Sequence, residues 1–198
     1  MKTRKFDMFN KLVLSTLLLT GLSHAESSLG LDINADDVEL LGAFNLNSSI
    51  GYNGGTSYMI DASYLHNEDD DLFTVGLSGE NALEAAPGLI FGFGFKAVFS
   101  EDFMAFPLLG KVKYILPFDG DIPTTSLLAS YAYAPSVLTF SDGDSYSEFR
   151  AEADIEVISN IHVFAGYRNI DTDYDLEENR IGAYKLNDSW FGGLKLSF

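Results

Sequence analysis

The stretch from Glu148 to Val157 constrains the fold more than any other in the chain. Phe149, Ala151, Ala153, Ile155 and Val157 alternate without a break with Glu148, Arg150, Glu152, Asp154 and Glu156. A helix would scatter both sets around its circumference, whereas a strand sorts them onto two faces. A second strand, Leu89–Phe99, sorts just as cleanly. Leu89, Phe91, Phe93, Phe95, Ala97 and Phe99 share one face, and Gly92, Gly94 and Lys96 share the other. Four phenylalanines on one side of one strand suit a wall facing acyl chains better than a single soluble surface.

The last residues, Trp190 to Phe198, repeat the pattern and end on an aromatic carboxyl terminus. Trp190, Gly192, Leu194, Leu196 and Phe198 lie on one side, and Phe191, Gly193, Lys195 and Ser197 on the other. A closed barrel has reason to finish on a strand, because its last strand must pair with its first. Gly193, Leu196 and Phe198 match the C-terminal assembly signal of outer-membrane proteins. Phe191 departs from it, at a place where that signal more often carries a polar residue.

Similar strands precede these. Val38–Leu46, Ser57–Leu65, the Phe73–Leu77 segment, Leu108–Leu116, Leu127–Tyr133 and Ile161–Tyr167 all alternate, and Leu29–Asn34 is a weaker candidate before the polar corner Ala35-Asp36-Asp37. The segments Asn47–Gly55, His66–Asp71, Ser100–Ala105, Pro117–Asp121, Pro135–Tyr146 and Asn169–Asp188 read as turns or loops. A single-chain bacterial barrel has an even strand number, with short periplasmic turns and longer outer loops. If the acidic 169–188 stretch lies outside, parity favours ten strands by including Leu29–Asn34. Eight is the alternative, with the early residues acting as a plug or arm. The expected fold is all-β, a closed antiparallel transmembrane β-barrel. Its rival is a soluble lipocalin-like barrel, in which the oily faces would turn inward.

The inward faces then carry Asp61, Lys96, Lys111, Lys113, Glu148, Arg150, Glu152, Asp154, Glu156, Arg168 and Lys195. A Lys or Arg turned toward mid-bilayer would cost roughly 2–4 kcal/mol. In so narrow a lumen, opposite charges are expected to pair and fill the space. A thin polar pore is the other reading.

The N-terminus is an address. Lys2, Arg4, Lys5 and Lys11 precede the apolar run Leu12–Leu22, which is too short to span a bilayer, and Ser23-His24-Ala25 forms a small-x-small cleavage site. Residues 1–25 are expected to be a secretory signal peptide and 26–198 one barrel domain. Removing the leader takes four of the 12 basic residues and one of the 29 acidic ones, which leaves a net charge of −20. Such a surface argues against nucleic-acid partners. The chain has no cysteine, so neither disulfides nor a lipoprotein anchor is available.

Tyr131-Ala132-Tyr133-Ala134-Pro135, followed by Leu138-Thr139-Phe140, resembles the aromatic strand end of the YfaZ family of Gram-negative outer-membrane proteins. Gly166-Tyr167-Arg168, the acidic Asp69-Asp70-Asp71 and the terminal Phe198 are similar too. Asn187-Asp188-Ser189-Trp190 stands where that family usually has an Asp-Gly-x-Tyr pattern. The resemblance implies an outer-membrane barrel with no established substrate.

Little in the sequence points to catalysis. No phosphate-cradling loop or metalloprotease motif is present, so no cofactor is expected and no resident metal. A Ser–His–carboxylate lipid hydrolase would need its histidine at the outer rim, but His162 begins its strand at the periplasmic end, so the chain reads as a non-enzyme. Asp171, Asp173 and Asp175 have the start of a calcium-loop spacing, but Leu176 stands where the loop needs glycine and Gly182 where it needs glutamate. Loose gathering of divalent cations, which also bridge lipopolysaccharide phosphates, is the residual expectation there. The chain is thus expected in the cell outer membrane as a monomer, in contact with outer-membrane lipid and lipopolysaccharide. The barrel-assembly machinery would engage its C-terminal strand. Its role would be structural or surface-interacting, with a narrow porin-like channel as the alternative.

Overall fold

Alternation that places apolar side chains on one face of every strand can be satisfied by curling a sheet until its two edges meet. The structure, a computed structural model, does this; it describes residues 27–67, 70–118, 122–176 and 180–198. The leader expected at residues 1–25 lies outside the described residues, as do Glu68, Asp69, Glu177 and Glu178.

The strands are β1 Ser28–Ile33, β2 Asp37–Asn45, β3 Thr56–Asn67, β4 Asp71–Ala82, β5 Leu89–Phe99, β6 Phe103–Ala105, β7 Leu108–Ile115, β8 Thr125–Ala134, β9 Thr139–Ser141, β10 Gly143–Ile158, β11 Ile161–Leu176 and β12 Arg180–Ser197. Ten of them form the antiparallel wall in the order β1-β2-β3-β4-β5-β7-β8-β10-β11-β12. The wall closes where β12 returns to β1, with Ser28 opposite Ser197 and Ile33 opposite Gly192. Closure leaves no edge to template aggregation. The weak Leu29–Asn34 candidate is therefore a wall strand, and the chain has ten wall strands, not eight. No described helix is long and apolar enough to cross a membrane, so the chain spans it with strands.

The faces sort as alternation requires. Phe93 is 74% exposed and Trp190 77%, and Phe91, Phe95, Phe149, Ile155, Leu194 and Leu196 also look outward. Arg150, Glu152, Asp154 and Arg168 are buried inside. Contiguous apolar surface on this scale is lipid-facing, not water-facing. Toward the outer rim, aromatic rings touch across strands. Tyr167 and Trp190 lie 5.4 Å apart and Phe73 and Phe99 6.3 Å apart. They form part of a girdle at the membrane interface.

Three expected loops contain strand. Asn169–Asp188 belongs almost wholly to β11 and β12, which reach Leu176 and restart at Arg180. The alternation does not stop there: Ile170 and Thr172 are buried inside, while Asp171 and Asp173 take the other face. Acidic side chains exclude such a segment from hydrocarbon, but nothing in them prevents pairing above it. Likewise, Pro135–Tyr146 contains a 3-10 turn at Ser136–Leu138, the short β9 and the first residues of β10, and Ser100–Ala105 contains β6. At the other end, Ser159-Asn160 joins β10 to β11, with Asn160 in the left-handed region at φ 70°. Asparagine tolerates that conformation better than most residues.

Candidate functional site: a lumen closed in layers

The inward side chains form three layers. The outermost is apolar. Leu65, Leu72, Val98, Ala134, Ile170 and Leu186, from the outer ends of the wall strands, pack with Phe103, Ala105 and Tyr146 into one buried cluster. β6 supplies Phe103 and Ala105. It pairs with β5 on one side and β9 on the other, which carries the short segment over the mouth. The Phe103 and Tyr146 rings lie 5.9 Å apart. No local pattern in the sequence marks this plug.

Below it lies an ionic layer. Arg168 is 1% exposed and bonds Asp37 at 2.6 Å, Asp32 at 3.4 Å, and Glu39. Arg150 bonds Glu39 at 2.6 Å, Asp32 at 2.8 Å and Glu152 at 3.2 Å. These contacts run from β10 and β11 across to β1 and β2. Both guanidinium groups lie near the Phe191 ring, Arg150 at 4.2 Å and Arg168 at 5.3 Å from its centroid. Phe191 therefore departs from the assembly-signal pattern for a reason inside the barrel: it is a cation–π platform. Burying charge is expensive unless every group is paired, and here two arginines share carboxylates from β1, β2 and β10. On the far wall Lys96 bonds Glu148 at 2.6 Å, and Lys111 bonds Asp61 at 2.6 Å and Glu80 at 3.1 Å. The Tyr146 hydroxyl donates to Glu148 at 2.9 Å and so ties the plug to the charges beneath.

The third layer faces the periplasm. Lys195 bonds Glu152 at 2.8 Å and Asp154 at 3.1 Å. Asp154 accepts from His162 at 2.7 Å, and His162 reaches Ser197 at 3.1 Å. A continuous polar chain thus runs from Ser197 through His162, Asp154, Lys195, Glu152, Arg150, Glu39 and Arg168 to Asp37.

Of the eleven charged residues placed in the lumen from sequence, nine enter these ion pairs. Glu156 instead accepts from the Asn160 backbone N–H at 3.1 Å, which fastens the β10–β11 turn. Lys113 is half-buried and has no ion pair among the described residues. Asp32, Asp37, Glu39 and Glu80 were missed. Asp32 between Leu31 and Ile33, and Glu39 between Val38 and Leu40, show the same alternation that revealed the others.

The C-terminal signal residues take three places. Gly193 faces inward where a Cβ would run into the Leu31 carbonyl and the Phe164 ring. Leu196 faces lipid, and the Phe198 backbone N–H donates to the Ser27 carbonyl at 2.9 Å. The expected cation loop is not a loop. Asp171 and Asp173 are two residues apart along β11, in a row instead of around a point, and Ser145 donates to Asp173 at 2.8 Å. The Asp175 side chain lies outside the described set. No cluster of potential metal ligands occurs among the described residues. At the outer rim Asp71 accepts from His66 at 2.7 Å and from Tyr64 at 2.8 Å. Those two bonds, His66 first, hold the Asp71 carboxyl below its ordinary range.

Among solved structures the chain is similar to a bacterial polysaccharide outer membrane secretin, with TM-score 0.46 and 12% identity over 82% of this chain and 56% of that one. It spans just over half the length of that protein. It is also similar to the KdgM porin, with TM-score 0.42 and 9% identity over 87% of this chain and 98% of that one. A third is Omp33 of Acinetobacter baumannii, with TM-score 0.36 and 13% identity over 90% and 100% of the two chains. No curated protein matches in sequence. The family described as YfaZ precursor matches residues 11–198. With its lipid-facing wall and closed ring of ten strands, this chain is an outer-membrane β-barrel and belongs to the YfaZ family.

Proposed function

We propose that the protein is a sealed structural or surface-interacting barrel, not a conduit. One observation carries this reading: two unlike layers stand one above the other in a single lumen. The apolar cluster of Leu65, Val98, Phe103 and Ile170 occupies the outer mouth, and the Arg150–Arg168 network lies beneath it. An ion entering from outside meets a dry apolar constriction, the arrangement that blocks conduction by excluding water. The work of such a barrel is done by its outer surface. Its acidic outer rim, including Asp171 and Asp173, faces the lipopolysaccharide layer, whose divalent cations can bridge carboxylate and phosphate. The monomer meets the assembly machinery through its last strand.

The second reading is a narrow cation-preferring channel. The unbroken polar chain from Ser197 to Asp37 supports it, and conduction would require the plug to move aside. Single-channel recording on the refolded barrel separates the two. The sealed barrel gives no discrete conductance steps at any applied voltage. Discrete, cation-selective steps would replace this reading with the channel.

A further inference from the structure

We infer that Ser197 is an activated acyl acceptor at the periplasmic mouth, with His162 as its base and Asp154 as the positioning residue for that base. Three adjacent strands supply the three groups. In the register of the wall, His162 stands opposite Glu156 on β10 and Lys195 on β12. Asp154 and Ser197 are the next lumen-facing residues on either side, and the imidazole reaches both. Asp154 Oδ1 is 2.7 Å from Nδ1, and Ser197 Oγ is 3.1 Å from Nε2.

The roles follow from the donors available. A carboxylate can only accept, so the bond at Nδ1 fixes the proton there and leaves the Nε2 lone pair facing the serine hydroxyl. The second Asp154 oxygen is held by the Lys195 ammonium at 3.1 Å, which fixes the angle of the carboxylate. This is the geometric test for a Ser–His–carboxylate relay, which is recognised by arrangement and not by chain order. A relay acting on lipid would need to stand at the outer rim. This one lies at the opposite end, with a different consequence for what can reach it.

The apolar plug bars entry from outside, so a ligand must come from the periplasm. The His162 and Asp154 side chains remain 18% and 12% exposed, open enough for a small molecule and water. The Ser197 backbone N–H is already given to the Asn160 carbonyl, so the serine's own amide is not free to hold an oxyanion. Lys195, two residues earlier on the same face, is committed to Glu152 and Asp154. The substrate class is therefore a small, water-soluble ester with a good leaving group.

The step balances without a cofactor. Ser197 Oγ bonds to the ester carbonyl carbon while its proton passes to His162 Nε2. The carbon–oxygen bond to the leaving group breaks, and that oxygen takes the proton from Nε2. Water then attacks the acyl-serine by the same route, releasing the carboxylic acid and restoring the hydroxyl.

The test uses the detergent-refolded barrel, with folding checked by heat-modifiable gel mobility. A fluorophosphonate probe should modify the peptide containing Ser197, and p-nitrophenyl acetate should be hydrolysed. Ser197→Ala, which deletes only a hydroxyl, should abolish the adduct. His162→Gln should slow both reactions by at least about tenfold, and so should Asp154→Asn, which keeps the side-chain shape. The pH profile of the labelling rate should flatten in His162→Gln, a response that a merely structural histidine would not give. No adduct on Ser197 in the folded barrel, or rates unchanged in Asp154→Asn, would overturn the assignment.

Discussion

Near its outer rim the lumen holds Leu65, Leu72, Val98, Phe103 and Ile170, while further in it holds Arg150 and Arg168 among Asp32, Asp37 and Glu39. Both regions exclude solvent, but they fail differently. The apolar plug gains from every buried methylene, and trimming one side chain costs that side chain and the void it leaves. The ionic layer gains little net, because desolvation offsets attraction, yet removing one partner strands the others. The contrast teaches that contribution and fragility are separate quantities in this barrel. The plug contributes more, and the charged layer is more easily broken.

The largest effect should therefore come from Arg168→Ala. It leaves Asp32, Asp37 and Glu39 short of one cation at a site 1% exposed, and should destabilise the refolded barrel by about 3–5 kcal/mol in urea unfolding. A loss under about 1 kcal/mol would erase the distinction between the layers. Leu65→Ala should come next, at about 3 kcal/mol by the same measurement, because Leu65 is 3% exposed within the plug. If it proved costlier than Arg168→Ala, the order of fragility would reverse. The smallest effect belongs to the exposed rim. His66 and Tyr64 lower the Asp71 carboxyl below its ordinary 3.8, so its contribution is complete above that value and lost as pH falls through the depressed one. The difference in unfolding midpoint between wild type and Asp71→Asn should be small and constant above pH 4, about where ordinary carboxylates are ionised, and vanish in stronger acid. A difference that instead grew on acidification would remove Asp71 from the comparison.

The wall was legible in the sequence because a membrane imposes the strictest form of alternation. The Leu89–Phe99 strand has the bounds its pattern suggested, and the Phe91–Phe95 row faces outward as expected. The charged face of β10 was legible for the same reason. The plug was not, because Leu65, Leu72 and Val98 sit at inward positions near strand ends, where an apolar residue looks like a lapse in the pattern. Nothing local marks them, since their partners come from strands far apart in the chain. The partners of Arg168 were hidden by brevity. β1 has six residues, too few for its single inward acid, Asp32, to establish a face. The relay around His162 was hidden by register, since Asp154 and Ser197 meet the ring only once three strands are aligned.

That same brevity has a mechanical consequence. β1 is the shortest wall strand among the described residues, and it is joined to each neighbour by six residue pairs, against sixteen between β11 and β12. The hoop is therefore riveted thinly on both sides of its first stave. Since that stave meets residues near 195, no cylinder exists until the final stretch has been delivered to it. Closure at this thin joint waits on β12, and lateral opening is expected there ahead of the sixteen-pair seam.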